Sequence, residues 1–205
     1  MAQSAGAVAA SVTIAEEDRL RADLYHLLAV LLARSPTGDV LAMCAGLSGD
    51  SGAMGKAIAA LARLAGTISP KAADREFHDL FIGLGRGELL PYASYYLTGF
   101  LHEKPLAKLR RDMAALGIAR AEAVREPEDN IASLMDMMEG MITGRFAEPR
   151  TLAQQRDFFS AHIGRWAGHF FKDLEAAESS VLYAPVGTIG GLFMEIEETA
   201  FRMEA

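Results

Sequence analysis

Five histidines, one cysteine, a glycine-rich pentapeptide and a knot of acids are the residues of this chain best equipped for chemistry. His26, His78, His102, His162 and His169 lie on separate stretches except for the last pair, and no Glu-x-x-His pair of the kind that builds di-iron sites in helical bundles is present. His162 and His169 are seven apart, about two helical turns, so a continuous helix would place them on one face. With no carboxylate or cysteine pattern to complete a site, they read as core-edge or surface histidines rather than metal ligands. The single Cys44 can form neither an internal disulfide nor a zinc site alone, which fits a reducing compartment. GLGRG at 83–87 has the glycines of a phosphate loop. A dinucleotide fingerprint follows a strand and opens a helix, however, and this one follows a helical pattern, so a chain-reversing turn is the stronger reading. No G-x-S-x-G elbow occurs. The expectation is a protein without catalytic residues, metal or cofactor.

The acids are concentrated in EPEDNIASLMDMMEGMI, residues 126–142. A proline at the first helical position with acids in the first turn suits a helix N-terminus, because negative charge there complements the helix dipole. Capping is therefore expected of Glu126, Pro127, Glu128 and Asp129, with Asp129 turned inward and Glu126 and Glu128 facing solvent. Grouped carboxylates also suit arginine, whose planar fork bonds paired oxygens. Met135, Met137, Met138 and Met141 follow at helical spacing. Core filling is the favoured reading, and an adaptable surface for apolar peptides is the sharper one.

The elements that position these residues are helical. Leu20, Leu24, Leu27, Leu28 and Leu31 recur at steps of three and four, and Ser35-Pro36 ends that pattern. Asp39–Leu47 and Gly55–Leu64 predict two short helices; then Ser69 caps and Pro70 opens a helix carrying Phe77, Leu80, Phe81 and Leu84 on one stripe. Residues 83–99, GLGRGELLPYASYYLTG, break the period with glycines and a proline and hold Tyr92, Tyr95 and Tyr96. Helix returns with Leu106, Leu109 and Met113 up to Gly117, and again with Ile131, Leu134, Met135, Met138 and Ile142 up to Gly144. The stretch from Pro149 to Glu178 is either one long helix or two joined near Gly164–Gly168. A last helix is expected to be broken around Pro185–Gly191. No alternation of β-branched residues sustains a strand, so the chain is all-α, with eight to ten helices.

The chain has 205 residues, about half of them hydrophobic, enough for one substantial domain or two small ones sharing a core. The formal charge of -7, from 27 acids against 20 bases, disfavours nucleic acid and favours a cationic partner. The first eighteen residues carry no Lys or Arg, so they lack the charged leading region of a secretory signal. Residues 1–15 read as a disordered tail. No apolar run approaches a membrane span, and the expected location is the cytoplasm.

EFHDLFIGLGRGELLPYASYY, followed about thirty residues later by EPEDNIASLMDMM, resembles the signature of the TorD/DmsD family, cytoplasmic chaperones of molybdenum-cofactor oxidoreductases exported by the twin-arginine route. QQRDFFSAHIGRWAGHFFKDLEAAESSVLYAPVG is similar to the family's C-terminal helices, and the resemblance runs from about residue 16 to 202. It implies a TorD-like helical domain over 16–205, with an N-terminal part (16–125), a hinge near 118–130 and a C-terminal part (131–205). It further implies a non-enzymatic protein that binds the twin-arginine leader and the immature client until the cofactor is inserted. The hinge-like link at 118–127 leaves room for the C-terminal helices to exchange between chains, so a monomer and a domain-exchanged dimer both stay open. Overall likeness leans to a formate dehydrogenase client over an S- or N-oxide reductase.

Carried over by position, the leader-binding and hinge residues are Phe77, Leu80 and Phe81 of an aromatic-x-x-Leu-Phe motif, Pro91, Tyr92 and Ser94 of a Pro-aromatic-x-Ser motif, and Glu126, Pro127 and Asp129 of a Glu-Pro-x-Asp motif. Glu128 joins the acids, and Tyr95 joins Phe77, Phe81 and Tyr92 in an expected aromatic wall with room for cation-π contact. The family pattern commonly continues with His, where this chain has Asn130. Asn keeps a donor and an acceptor but does not become cationic near neutral pH. The competing readings are a nucleotide-dependent switch or enzyme using 83–87, with Arg86 on phosphate, and a generic helical adaptor without leader preference.

Overall fold

The computed structural model describes residues 14–120 and 125–203. Within them the chain forms ten helices: α1 (Glu16–Ala33), α2 (Gly38–Ala45), α3 (Ala53–Ala65), α4 (Pro70–Phe81), α5 (Ala93–Thr98), α6 (Lys104–Leu116), α7 (Ile131–Thr143), α8 (Leu152–His162), α9 (Ala167–Ala176) and α10 (Tyr183–Met203). The all-α reading holds, at the upper end of the expected helix number. The tail expected over 1–15 lies almost wholly outside the described residues, and so do positions 121–124 of the expected hinge.

The helical period does most of the folding. On α1, Ala22, Tyr25, Leu28, Ala29 and Leu32 are buried at steps of three and four, whereas Leu20, expected on that face, is exposed. The buried face of α1 packs on α7. α7 is buried nearly all round, including all four of its methionines, so Met135, Met138 and Met141 are core filling and Met137 lies at the edge of the core. Ser69 caps α4 by accepting from the Ala72 amide at 3.2 Å, with Pro70 in the first turn as anticipated. That helix stops at Phe81, so Leu84 lies fully exposed beyond it and not on its stripe.

Two ambiguities resolve physically. The backbone leaves helix between His162 and Ala167, giving α8 and α9 as separate helices. His162 and His169 therefore share no helix: His162 is buried against Asp112, with its Nε2 at 2.7 Å from Oδ2, while His169 is exposed. The last helix is continuous, contrary to the expected break. Pro185 sits in its first turn, where a missing amide costs nothing. Gly187 and Gly190 are points of close approach: a Cβ at Gly187 would collide with the Glu175 backbone, and one at Gly190 with the Phe171 ring. Glycine here lets α9 and α10 touch.

Buried charges tie distant helices together. Glu197, on α10 and fully buried, accepts from Arg21 Nε at 2.7 Å and Nη2 at 2.9 Å, and from the Tyr25 hydroxyl at 2.8 Å. Glu76 of α4 accepts from the Val181 and Tyr183 amides at 2.7 and 2.9 Å, capping the start of α10. The Tyr183 hydroxyl then donates to the Leu31 carbonyl at 2.8 Å. Among the described residues, no group of three or more His, Cys, Asp or Glu is placed to hold a metal, and no helix is long and apolar enough to cross a membrane.

Removing one member of a buried ion pair strands the other. Glu197→Ala is expected to lower unfolding stability by about 3 kcal/mol or more, read from urea titrations; a loss below about 0.5 kcal/mol, the size of a surface change, would refute the role given to this pair.

Candidate functional site

The site begins where two irregular-looking stretches meet. The Ile131 amide donates to the Pro91 carbonyl at 2.8 Å and the Ala93 amide to the Asp129 carbonyl at 3.0 Å, an antiparallel bridge pairing Tyr92 with Asn130. The Asp129 carboxylate, 1% exposed, accepts from the Ser94 amide at 2.8 Å and so satisfies an orphan donor in the first turn of α5. Asn130 is the N-cap of α7, its Oδ1 accepting from the Ala132 amide at 2.9 Å. The Pro-aromatic-x-Ser and Glu-Pro-x-Asp motifs thus form one clamp.

This corrects the role expected of the acids. Pro127 does not open α7; it precedes the helix in a turn whose carbonyl accepts from the Asn130 amide at 3.1 Å, and no acid occupies the first turn of α7. Asp129 points inward as anticipated. Glu128, expected to face solvent, is buried and accepts from Arg110 Nε and Nη2 at 3.0 and 2.8 Å, with Arg120 Nε 3.8 Å away. Burial pushes the Glu128 pKa up, but the Arg110 hydrogen bond and the two guanidinium charges outweigh it and hold the carboxyl below its ordinary 4.5. Glu126 remains exposed, and its carboxylate accepts from the Tyr92 hydroxyl. Among the described residues no cation pairs with it. Burial, then Glu126 itself, raises the Tyr92 pKa well above the usual phenol value, so this hydroxyl stays a donor at any physiological pH.

Beside the clamp opens a groove of about 840 Å³. Its apolar wall is built by Val30 and Ala33 of α1, Phe77 and Phe81 of α4, Met137 of α7 and Phe146 beyond it. Phe77 and Phe81 meet edge to face at 5.0 Å between centroids, and both rings back onto Tyr183. Of the positions expected at a leader site, Phe77, Phe81, Pro91, Tyr92, Glu126, Glu128 and Asn130 line the groove. Leu80, Ser94 and Asp129 are buried in the interior, and half-buried Pro127 does not line the groove. Tyr95 is not part of the aromatic wall: its hydroxyl accepts from Arg86 at 3.2 Å and its ring lies under that guanidinium.

Sequence reasoning missed the whole contribution of α1 and the groove's own cations, Arg34, Arg120 and Arg145. Exposed residues on the far side of an amphipathic helix carry no signal of what they face. The glycine loop is a turn: Gly83 and Gly85 take positive φ, 61° and 95°, and no helix follows until Ala93. A phosphate there would meet no helix N-terminus, and Arg86 is already engaged by Tyr95.

Fold and groove define the class first, an all-helical domain whose candidate site is a largely apolar groove edged by charged side chains. The family model described as nitrate reductase delta subunit matches residues 48–172, and the chain belongs to that family, in keeping with the TorD/DmsD resemblance of its motifs. Similar proteins include chaperone protein TorD of Vibrio cholerae serotype O1, 29% identical over 127 residues and covering 58% of each chain. Chaperone protein TorD of Vibrio parahaemolyticus serotype O3:K6 is 25% identical over 130 residues, 60% of each chain. The matched stretch thus spans under two thirds of the length of these relatives. The fold is similar to that of a candidate redox enzyme maturation protein from Archaeoglobus fulgidus, with a TM-score of 0.56 at 23% identity over 86% of this chain and 94% of that one.

Two outcomes follow from the division of labour among the acids. Asp129→Ala removes the partner of a buried amide and is expected to cost about 1–3 kcal/mol of unfolding stability, whereas Glu126→Ala should stay within about 0.5 kcal/mol; equal losses in denaturant titrations would refute the division. Glu128, its pKa lowered in the fold, contributes stability that is present above its ordinary 4.5 and lost as pH falls through the lowered value. Glu128→Gln should therefore flatten the decline of stability with acid, measured by urea midpoints from pH 7 downward.

Proposed function

We propose that this protein is a non-enzymatic maturation chaperone of the cytoplasm that binds the twin-arginine leader of a molybdenum-cofactor oxidoreductase and holds the immature client back from export until its cofactor is in place. A formate dehydrogenase is the favoured client. Family membership and the names of the similar proteins support the chaperone role.

The observation that carries the leader reading is Glu126. A twin-arginine leader presents guanidinium groups followed by an apolar, helix-forming run. Its receptor needs an available carboxylate beside an apolar wall. Glu128 and Asp129 are consumed inside the fold, but Glu126 stands at the groove rim, oriented by Tyr92 and unmatched by any described cation. Phe77, Phe81, Val30 and Met137 supply the apolar wall that the rest of the leader would cover. A desolvated carboxylate bonded by the planar fork of arginine gives more than a bare surface ion pair.

Isothermal calorimetry with synthetic twin-arginine leader peptides tests this directly. Binding is expected, weaker at high salt and when both arginines become alanine. Glu126→Gln should weaken it by about 1–2 kcal/mol without changing the melting temperature. An absence of heat across a panel of such leaders would sink the proposal.

A further inference from the structure

At another part of the groove lining, α7 already holds a guanidinium, and it is the chain's own. Arg145 Nη2 lies 2.8 Å from Asp136 Oδ1, 2.8 Å from Glu139 Oε2 and 2.7 Å from the Asp136 carbonyl oxygen. Its guanidinium carbon sits 5.0 Å from the centre of the Phe146 ring. Two carboxylates, a carbonyl and an aromatic face around one planar cation make an arginine receptor. The receptor is preformed: Asp136 and Glu139 are three apart on a single helix and so share a face, and Phe146 seats where a Cβ on Gly140 would collide with it. Asp136, Arg145 and Phe146 all line the groove proposed to take the leader.

Arg145 differs from the arginine that neutralises Glu128. Arg110 straps α6 to the 126–130 segment, so its loss would loosen the fold. The Arg145 side chain bonds only to residues six and nine positions upstream on the preceding helix, at the start of a short connection that leaves α7 through Gly144 with φ 79°. Its side chain is half exposed. Lifting it out breaks no long-range link.

We infer that Asp136, Glu139 and Phe146 form a guanidinium-binding subsite of the groove, occupied in the free protein by Arg145, which an arginine of the bound leader displaces. The resident arginine keeps the carboxylates paired while the groove is empty. Exchange of one guanidinium for another is nearly balanced, so Arg145 acts as a competitor that lowers affinity for cationic segments and discriminates against any that bring too little additional apolar contact. The inference rests on the leader reading for its biological ligand, but not for its chemistry.

Two measurements separate the inference from that reading. Agmatine, a guanidinium on an aminobutyl stem, should shift the backbone amide resonances of Asp136 and Glu139 in Arg145→Ala, and much less in the unsubstituted protein, whereas 1,4-diaminobutane, which lacks the guanidinium, should shift them in neither. Arg145→Ala should also bind twin-arginine leader peptides about fivefold more tightly, the scale set by one partly exposed ion pair, and adding Asp136→Asn should erase the gain. Arg145→Gln, which keeps the methylene stem and removes the charge, guards against loss of folding in the alanine variant. Folded Arg145 variants that neither respond to agmatine at these amides nor gain leader affinity would overturn the inference. An agmatine response in variants that still ignore every leader would keep the subsite and refute the leader reading.

Discussion

The backbone bridge between Tyr92 and Asn130, with the Asp129 carboxylate closing on the Ser94 amide, is the constraint on which the rest of the site depends. α5 has six residues, too few to persist as a helix alone, and the chain before it carries two glycines at positive φ. Three short bonds attach this stretch to the start of α7, which is itself buried nearly all round against α1 and its neighbours. Because Asp129 and Asn130 turn inward to hold that attachment, Glu126 just upstream is carried to the rim. Tyr92, fixed on the opposite strand of the bridge, is then within hydrogen-bonding reach of Glu126. Position at the rim is thus a consequence of how the interior is satisfied.

Charge in the groove is likewise a residue of internal bookkeeping. A net -7 suggests an acidic surface, yet Arg34, Arg120 and Arg145 also line the groove. Glu128 and Asp136 are matched by arginines of the same chain, and Glu197 and Glu76 are spent on joining helices. An ionised carboxylate taken out of water must find a cation or amide donors, so the more buried the acid, the less it can offer a partner. Exposure and pairing together, rather than acid count, single out Glu126.

The helix period made most of the fold legible. Heptad-like steps in α1, the Ser69-Pro70 start of α4 and the Gly117 and Gly144 stops are local signals, and local signals survive in sequence. The errors came where a residue's role is set by something distant. Gly187 and Gly190 look like helix breakers until the α9 backbone is placed against the one and the Phe171 ring against the other. Glu128 looks like a free acid until Arg110, eighteen positions upstream, is brought alongside. Asp129 is paired with an amide thirty-five positions away, and the α1 side of the groove was invisible because half-buried Val30 and exposed His26 have no period of their own to betray a shared cavity. The motif resemblance located the clamp but could not say which of its acids remained available.

Asn130 shows how structure changes the weight of a sequence departure. Its Oδ1 must accept a hydrogen bond from the Ala132 amide to start α7, while its own amide donates to Pro127 and its carbonyl receives the Leu134 amide. An imidazole could serve as that cap acceptor only while neutral, since a protonated ring has no acceptor left. Asparagine accepts at every pH. Because the capped helix also anchors the bridge that carries Tyr92 and Glu126 to the rim, the geometry of the groove's acidic edge does not depend on the protonation of position 130. In this chain that residue serves the architecture of the clamp, and Glu126 is the acid of the segment left available at the rim.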